Sequence, residues 1–169
     1  SQEFIEYFQK NKLVLIGNRF LRDDKPAMKR IFELLDINVT AIPDTIYIPG
    51  FGRKNNNSRI DYLKNNSFNN SCRVIELNEK TCNIEENEIV KKAYKLKNYK
   101  FVNEYFAIAS IYKSGGIYID DNIILNSTLN AIRCHESFFN FIGDGIYSDK
   151  IFGAMPNHEV YKSILETYI

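Results

Sequence analysis

Short apolar runs alternate along this chain with stretches of helical periodicity. Residues 13–16 form an apolar run closed by Gly17 and Asn18, the pattern of a buried strand. Pro26 then opens a helix whose apolar positions Met28, Ile31, Phe32, Leu34 and Leu35 recur at helical spacing. Residues 36–38 end it, and residues 39–48 are extended with an interruption at Pro43. Strand, helix, strand is a unit that favours a parallel sheet. Residues 50–71 are polar and asparagine-rich, with one short helix near residues 59–64. The triple Asn55-Asn56-Asn57 fits a solvated connection better than a functional loop, because Asn favours turns. A strand at residues 73–77 centres on Val74 and Ile75. A charged helix at residues 84–99 has Ile89, Val90, Ala93, Tyr94 and Leu96 on its apolar side.

Residues 101–112 are apolar on nearly every side, which predicts a buried helix. Ser114-Gly115-Gly116 stops it, with glycine available for a left-handed cap. The β-branched stretch at residues 117–125 predicts a strand. Two further extended runs, residues 138–142 and 151–154, precede a last helix over about residues 158–168, which His158 helps to begin. The alternation predicts an α/β domain.

At 169 residues the chain suffices for one domain with a sizeable core, and 44% hydrophobic against 25% charged residues excludes a disordered chain. With 22 basic and 21 acidic residues the net charge is +1, which gives no field for a phosphate backbone, so no nucleic-acid partner is expected. No apolar run approaches the roughly 18 to 20 residues of a membrane span. Residues 1–12 mix charge with aromatics and lack the apolar core of a signal peptide. Cys72, Cys82 and Cys134 are scattered, so reduced thiols, no zinc site and a cytoplasmic location are expected. His135 and His158 have no third metal ligand in view, and no glycine-rich phosphate loop is present.

The acidic strand end carries the candidate chemistry. If Gly-Gly-Ile-Tyr-Ile-Asp-Asp-Asn is one strand, Tyr118, Asp120 and Asn122 share a face while Asp121 points the other way. A carboxylate and an amide so placed suit a hard cation such as Mg²⁺ or Mn²⁺, and open α/β sheets bind ligands beyond the carboxyl ends of their strands. The other reading is a strand that runs into a solvated acidic turn. Gly115 and Gly116 would let backbone pass close to a neighbour or a ligand. Glu104 also has two readings: a carboxylate on an apolar helix face that needs a partner or a cavity, or a charge in the first helical turn near solvent.

The run NYKFVNEYFAIASIYKSGGIYIDDNIIL, residues 98–125, resembles the signature of the DXD-motif sugar-binding glycosyltransferases. These are bacterial capsule and lipopolysaccharide transferases, related to yeast initiating mannosyltransferases and clostridial glucosylating toxins. In that family a helix with Asp-x-x-Arg leads into a Gly-Gly turn and a strand ending Tyr-Leu-Asp-x-Asp. Residues 42–52, IPDTIYIPGFG, are similar to the family's opening strand, and residues 151–169 to a later segment. The resemblance runs from about Ala41 to Ile169, so residues 1–40 are expected to be an N-terminal extension and residues 41–169 the glycosyltransferase domain, either a compact family member or a C-terminally incomplete piece.

The resemblance implies a GT-A-like nucleotide-binding sandwich with a mainly parallel central sheet. It also implies retaining transfer from a nucleotide-sugar donor to a saccharide or lipid-linked saccharide acceptor, with Mn²⁺ or Mg²⁺. It places the protein in the cytoplasm, free or peripheral at the inner membrane face, alone or with further domains of a larger capsule enzyme. By the same carry-over Asp120, Tyr118, Glu104, Gly115 and Gly116 are donor-binding, and Asp120, Asn122 and Asp149 hold the metal. The sequence departs from the family at four places in this pocket. Asn122 replaces the second aspartate, Glu104 the helix aspartate with a reach about 1.5 Å longer, Ala107 the helix arginine, and Gly50 a tryptophan near the nucleotide. Asp149, where relatives tend to carry Asn, is the candidate for a relocated carboxylate.

Overall fold

The computed structural model describes residues 41–54, 56–68, 72–143 and 146–168, with backbone alone for residues 141–143 and 146–147. The strand at residues 13–16, the helix after Pro26, the N-terminal extension and Asn55 lie outside the described residues. Residues Thr40–Ile169 belong to one compact unit.

Among the described residues five strands make one sheet: β1 (Thr45–Pro49), β2 (Arg73–Leu77), β3 (Gly116–Ile119), β4 (Ser137–Gly143) and β5 (Ile146–Ala154). Their order is β2-β1-β3-β5-β4. The first three are parallel, with Ile46 opposite Val74 and Ile117, whereas β5 is antiparallel to both β3 and β4. The α/β class holds, with parallel pairing limited to one half of the sheet. Among the described residues four helices accompany it: α1 (Asn57–Asn66), α2 (Glu88–Lys95), α3 (Tyr99–Ser114) and α4 (Glu159–Glu166).

Strand alternation builds a core on each face. Ile46, Ile48, Ile117 and Ile119 pack with Leu63 of α1, Phe68 and Leu129 on one side. Tyr47, Tyr118 and Phe152 pack on the other with Val90 of α2, Val102, Phe106 and Ile111 of α3, and Tyr161 of α4. Removing these apolar surfaces from water, at about 25 cal/mol per Å², is what holds the helices to the sheet.

Two expected elements change. The single helix over residues 84–99 is instead a 3₁₀ turn (Ile84–Glu86), α2, and the start of α3. Asparagine side chains cut it: Asn87 caps α2 by accepting from the Ile89 and Val90 N–H groups, Asn98 caps α3, and Lys97 between them has φ of 58°. The strand expected at residues 117–125 ends at Ile119, because Asp120 Oδ1 accepts the Asp121 N–H at 2.8 Å and the chain turns out of the sheet. Asn56 is not part of a solvated connection: it is buried, and donates to the Pro49 carbonyl at 2.9 Å and to Glu76 Oε1 at 2.6 Å. His158 does begin the last helix, its Nδ1 accepting the Val160 N–H.

Candidate functional site

Parallel pairing of β1 with β3 brings their carboxyl ends side by side, so the turn after β1 and the acidic turn after β3 meet. Phe51 anchors the first turn, fully buried and stacked on Phe106 at 5.5 Å. Asn103 of α3 fixes its backbone: Oδ1 accepts the Gly50 and Phe51 N–H groups at 3.1 and 3.2 Å, while Nδ2 donates to the Phe51 and Tyr99 carbonyls. Arg53 closes the turn with its N–H on the Gly50 carbonyl. Its guanidinium then forms an ion pair with Asp121.

The acidic turn is held from its other side by α1. Arg59 Nη2 donates to the Asp120 carbonyl at 3.0 Å and the Ile123 carbonyl at 2.6 Å, with its guanidinium 5.3 Å from the centre of the Tyr62 ring. Asp120 is tied to β5 through its own N–H, bonded to the Lys150 carbonyl at 2.8 Å. Residues 120–122 are therefore a turn, and the strand alternation that would turn Asp121 away does not reach them. Asp121 is the better buried of the pair it forms with Arg53, and Asn122 is exposed. Burial pushes the Asp121 carboxyl above its ordinary range against the pull of Arg53.

Tyr118 ties this turn to helix α3. Its ring is buried against Phe152, centroids 5.0 Å apart, and its hydroxyl is pushed well up by burial first, then by the charges of Asp120, Glu104 and Asp121, with Arg53 opposing. Glu104 also lines a pocket of about 220 Å³ with Phe139, Ser148, Asp149, Phe152 and Tyr161. At its mouth Lys100 Nζ lies 2.7 Å from Asp149 and 3.5 Å from Glu104. Burial raises Glu104 against the pull of the Lys100 charge, with the Asp149 charge adding to the rise, while the hydrogen bond from Lys100 holds Asp149 below its ordinary range. Glu104 is therefore the member of the pair that takes up a proton first as pH falls. Of the two readings of Glu104 the first holds, since it borders a cavity and has a partner in Lys100, whereas the first turn of α3 carries no acidic residue.

Several expected residues are placed elsewhere. Gly116 opens β3 and Gly115 caps the helix before it, so the nearer of the two is roughly 13 Å from Asp120 by the rise of a strand. They serve close packing there: a Cβ at Gly116 would stand 2.6 Å from the Thr45 carbonyl oxygen, at a φ of 126°, and one at Gly115 2.7 Å from Pro43. Ala107 is fully buried in the core, which leaves no place for a cation at that position. Gly50 has no room for a side chain, with a Cβ 2.7 Å from the Leu77 carbonyl oxygen and against Glu76. Sequence reading missed Arg53, Arg59, Asn103 and Lys100. Lys100 alone left a signal, its spacing of four from Glu104.

The turn does not fit a divalent cation as it stands. Asp121 is engaged by Arg53, Asp120 Oδ1 by a backbone N–H, and Asn122 brings no charge. Asp149, the candidate replacement, faces Lys100 and Glu104. Among the described residues no three His, Cys, Asp or Glu side chains are grouped to hold a metal ion. Hard cations follow the count of charged oxygen ligands, and two guanidiniums cancel the two carboxylates here.

The profile of a family described as glycosyltransferase sugar-binding region containing DXD motif matches residues 14–139, well over half of the chain. The match begins upstream of Ala41, the start of the stretch that carries the resemblance, and stops short of Asp149. A search of curated proteins finds no significant match. No helix among the described residues is long and apolar enough to cross a membrane.

Proposed function

Because the chain belongs to the DXD-motif glycosyltransferase sugar-binding family, we propose that it binds a nucleotide-sugar donor at the carboxyl end of β3. The observation that carries this reading is the meeting of the turn after β1 with the acidic turn after β3, where the Arg53 guanidinium pairs with Asp121 beside Asp120. Carboxylates and a guanidinium set side by side are the groups that recognise sugar hydroxyls and a diphosphate. A GT-A-like frame accounts for three parallel strands that end together and for helices on both faces. In the full form of the proposal, Asp120 and Glu104 hold the ribose and the sugar. The sugar then passes with retention to a saccharide or lipid-linked saccharide acceptor, in bacterial capsular or lipopolysaccharide synthesis. Asn122 and Asp149 are metal ligands in the family-derived assignment, and the donor set around the turn supports neither.

A second reading, a donor-binding module without transferase activity, is favoured by the buried Ala107, which removes a cation from the leaving diphosphate. Losing one such contact lowers rate by about 10² to 10³. Release of nucleoside diphosphate from UDP-, GDP- and CDP-sugars separates the two. Turnover by the native chain that Asp120→Ala abolishes supports the enzyme. Binding of nucleoside diphosphate without turnover supports the module. Absence of both refutes a donor site at β3.

A further inference from the structure

The turn after β1 sets a cation, Arg53, beside the acidic turn after β3. Arg53 is 46% exposed and, among the described residues, its one side-chain partner is Asp121. A guanidinium offers five N–H donors in a planar fork, so the pair with Asp121 leaves most of its capacity open to a ligand. The backbone beneath it is fixed by the buried Asn103 and by Phe51, so the head can exchange partners without unfolding the turn. Arg59 adds a second positive charge, bonded to the carbonyls of the acidic turn and with a buried Nε that has no partner. The turn is therefore neutral rather than doubly negative. A neutral turn with an exposed arginine suits a diphosphate directly and a divalent cation poorly.

We propose that Arg53 is the diphosphate-binding residue of this site, exchanging Asp121 for phosphate oxygens, and that nucleoside diphosphate binds here without a divalent metal. The inference rests on the donor-site reading above and assigns to Arg53 the contact that Ala107 cannot make. Asp121 is then the internal competitor that holds Arg53 while the site is empty of donor.

The test is calorimetric titration of the full chain with UDP, GDP and CDP, once in EDTA and once in Mn²⁺. Affinity in EDTA is expected within about threefold of that in Mn²⁺ for whichever nucleotide binds. Arg53→Ala is expected to weaken binding by about 10- to 100-fold, the range of a hydrogen-bonded charged contact. Asp121→Asn removes the competitor and is expected to tighten binding, a gain that misfolding cannot mimic. Binding seen only with Mn²⁺, or unchanged by Arg53→Ala in a chain of native circular dichroism, overturns the role of Arg53 and leaves the donor site standing. No binding of any of the three in either condition overturns the donor site itself, and the inference with it.

Discussion

Arg59 offers the most direct test of how the acidic turn is built. Arg59→Met keeps the aliphatic stem and removes the guanidinium that bonds the Asp120 and Ile123 carbonyls at 3.0 and 2.6 Å. Two hydrogen bonds from a charged donor are worth about 1.5–3 kcal/mol each. Water can reach part of that turn and replace some of the loss, because Asp120 and Ile123 are only half-buried. The substitution also relieves the Arg59 Nε, buried without a partner at a cost of about 1–3 kcal/mol. The net destabilisation is then about 1–2 kcal/mol, a fall in Tm of about 2–8 °C for a chain of this size. Arg59→Lys keeps the charge but cannot present a planar fork to both carbonyls, so its Tm is expected between the two. Thermal unfolding followed by circular dichroism gives the Tm, and nucleoside diphosphate titration gives the binding, which is expected to weaken as Asp120 loses its fixed backbone. An Arg59→Met chain with native Tm and native nucleotide affinity would refute the claim that Arg59 holds the turn.

Other consequences follow from the same geometry. Asn103→Ala removes the bonds that hold the Gly50 and Phe51 N–H groups in a buried setting, and is expected to cost about 2–4 kcal/mol in urea unfolding; a loss below 0.5 kcal/mol, within the range of an ordinary surface change, counts against it. Gly116→Ala meets the Thr45 carbonyl oxygen at a positive φ, and is expected to cost about 2–4 kcal/mol with no selective effect on nucleotide affinity in chains that still fold. A native unfolding midpoint would show that the backbone yields there. Glu104, raised chiefly by burial, contributes stability below the ordinary carboxyl range and loses it as pH rises through its folded value. Glu104→Gln should therefore gain on the native chain as pH rises from about 4 to 7. Asp149, lowered chiefly by its hydrogen bond from Lys100, contributes above its ordinary value and loses that as pH falls, so Asp149→Asn should cost most near neutrality and least in acid. Parallel unfolding curves at every pH would show that neither carboxyl is coupled as described.

What the sequence determined by itself is what local pattern can specify. The apolar runs gave β1, β2 and β3 their place, because a buried strand needs consecutive Ile, Val and Tyr whatever surrounds it. The all-round apolar helix announced α3, since such a surface must be covered on every side. The Gly-Gly-Ile-Tyr-Ile-Asp block carried the family. Tertiary structure decided the rest, for reasons that lie between segments. Whether Asp120 to Asn122 continue a strand depends on a side chain, Asp120 Oδ1, competing with ladder hydrogen bonds, and alternation cannot report that competition. Whether Asn87 and Asn98 interrupt one helix or cap two depends on where α3 must sit over the sheet. Above all, Arg53 and Arg59 lie more than 60 residues from the turn they hold. Only parallel pairing of β1 with β3 brings a basic loop and an acidic one together, and that pairing sets the charge of the site.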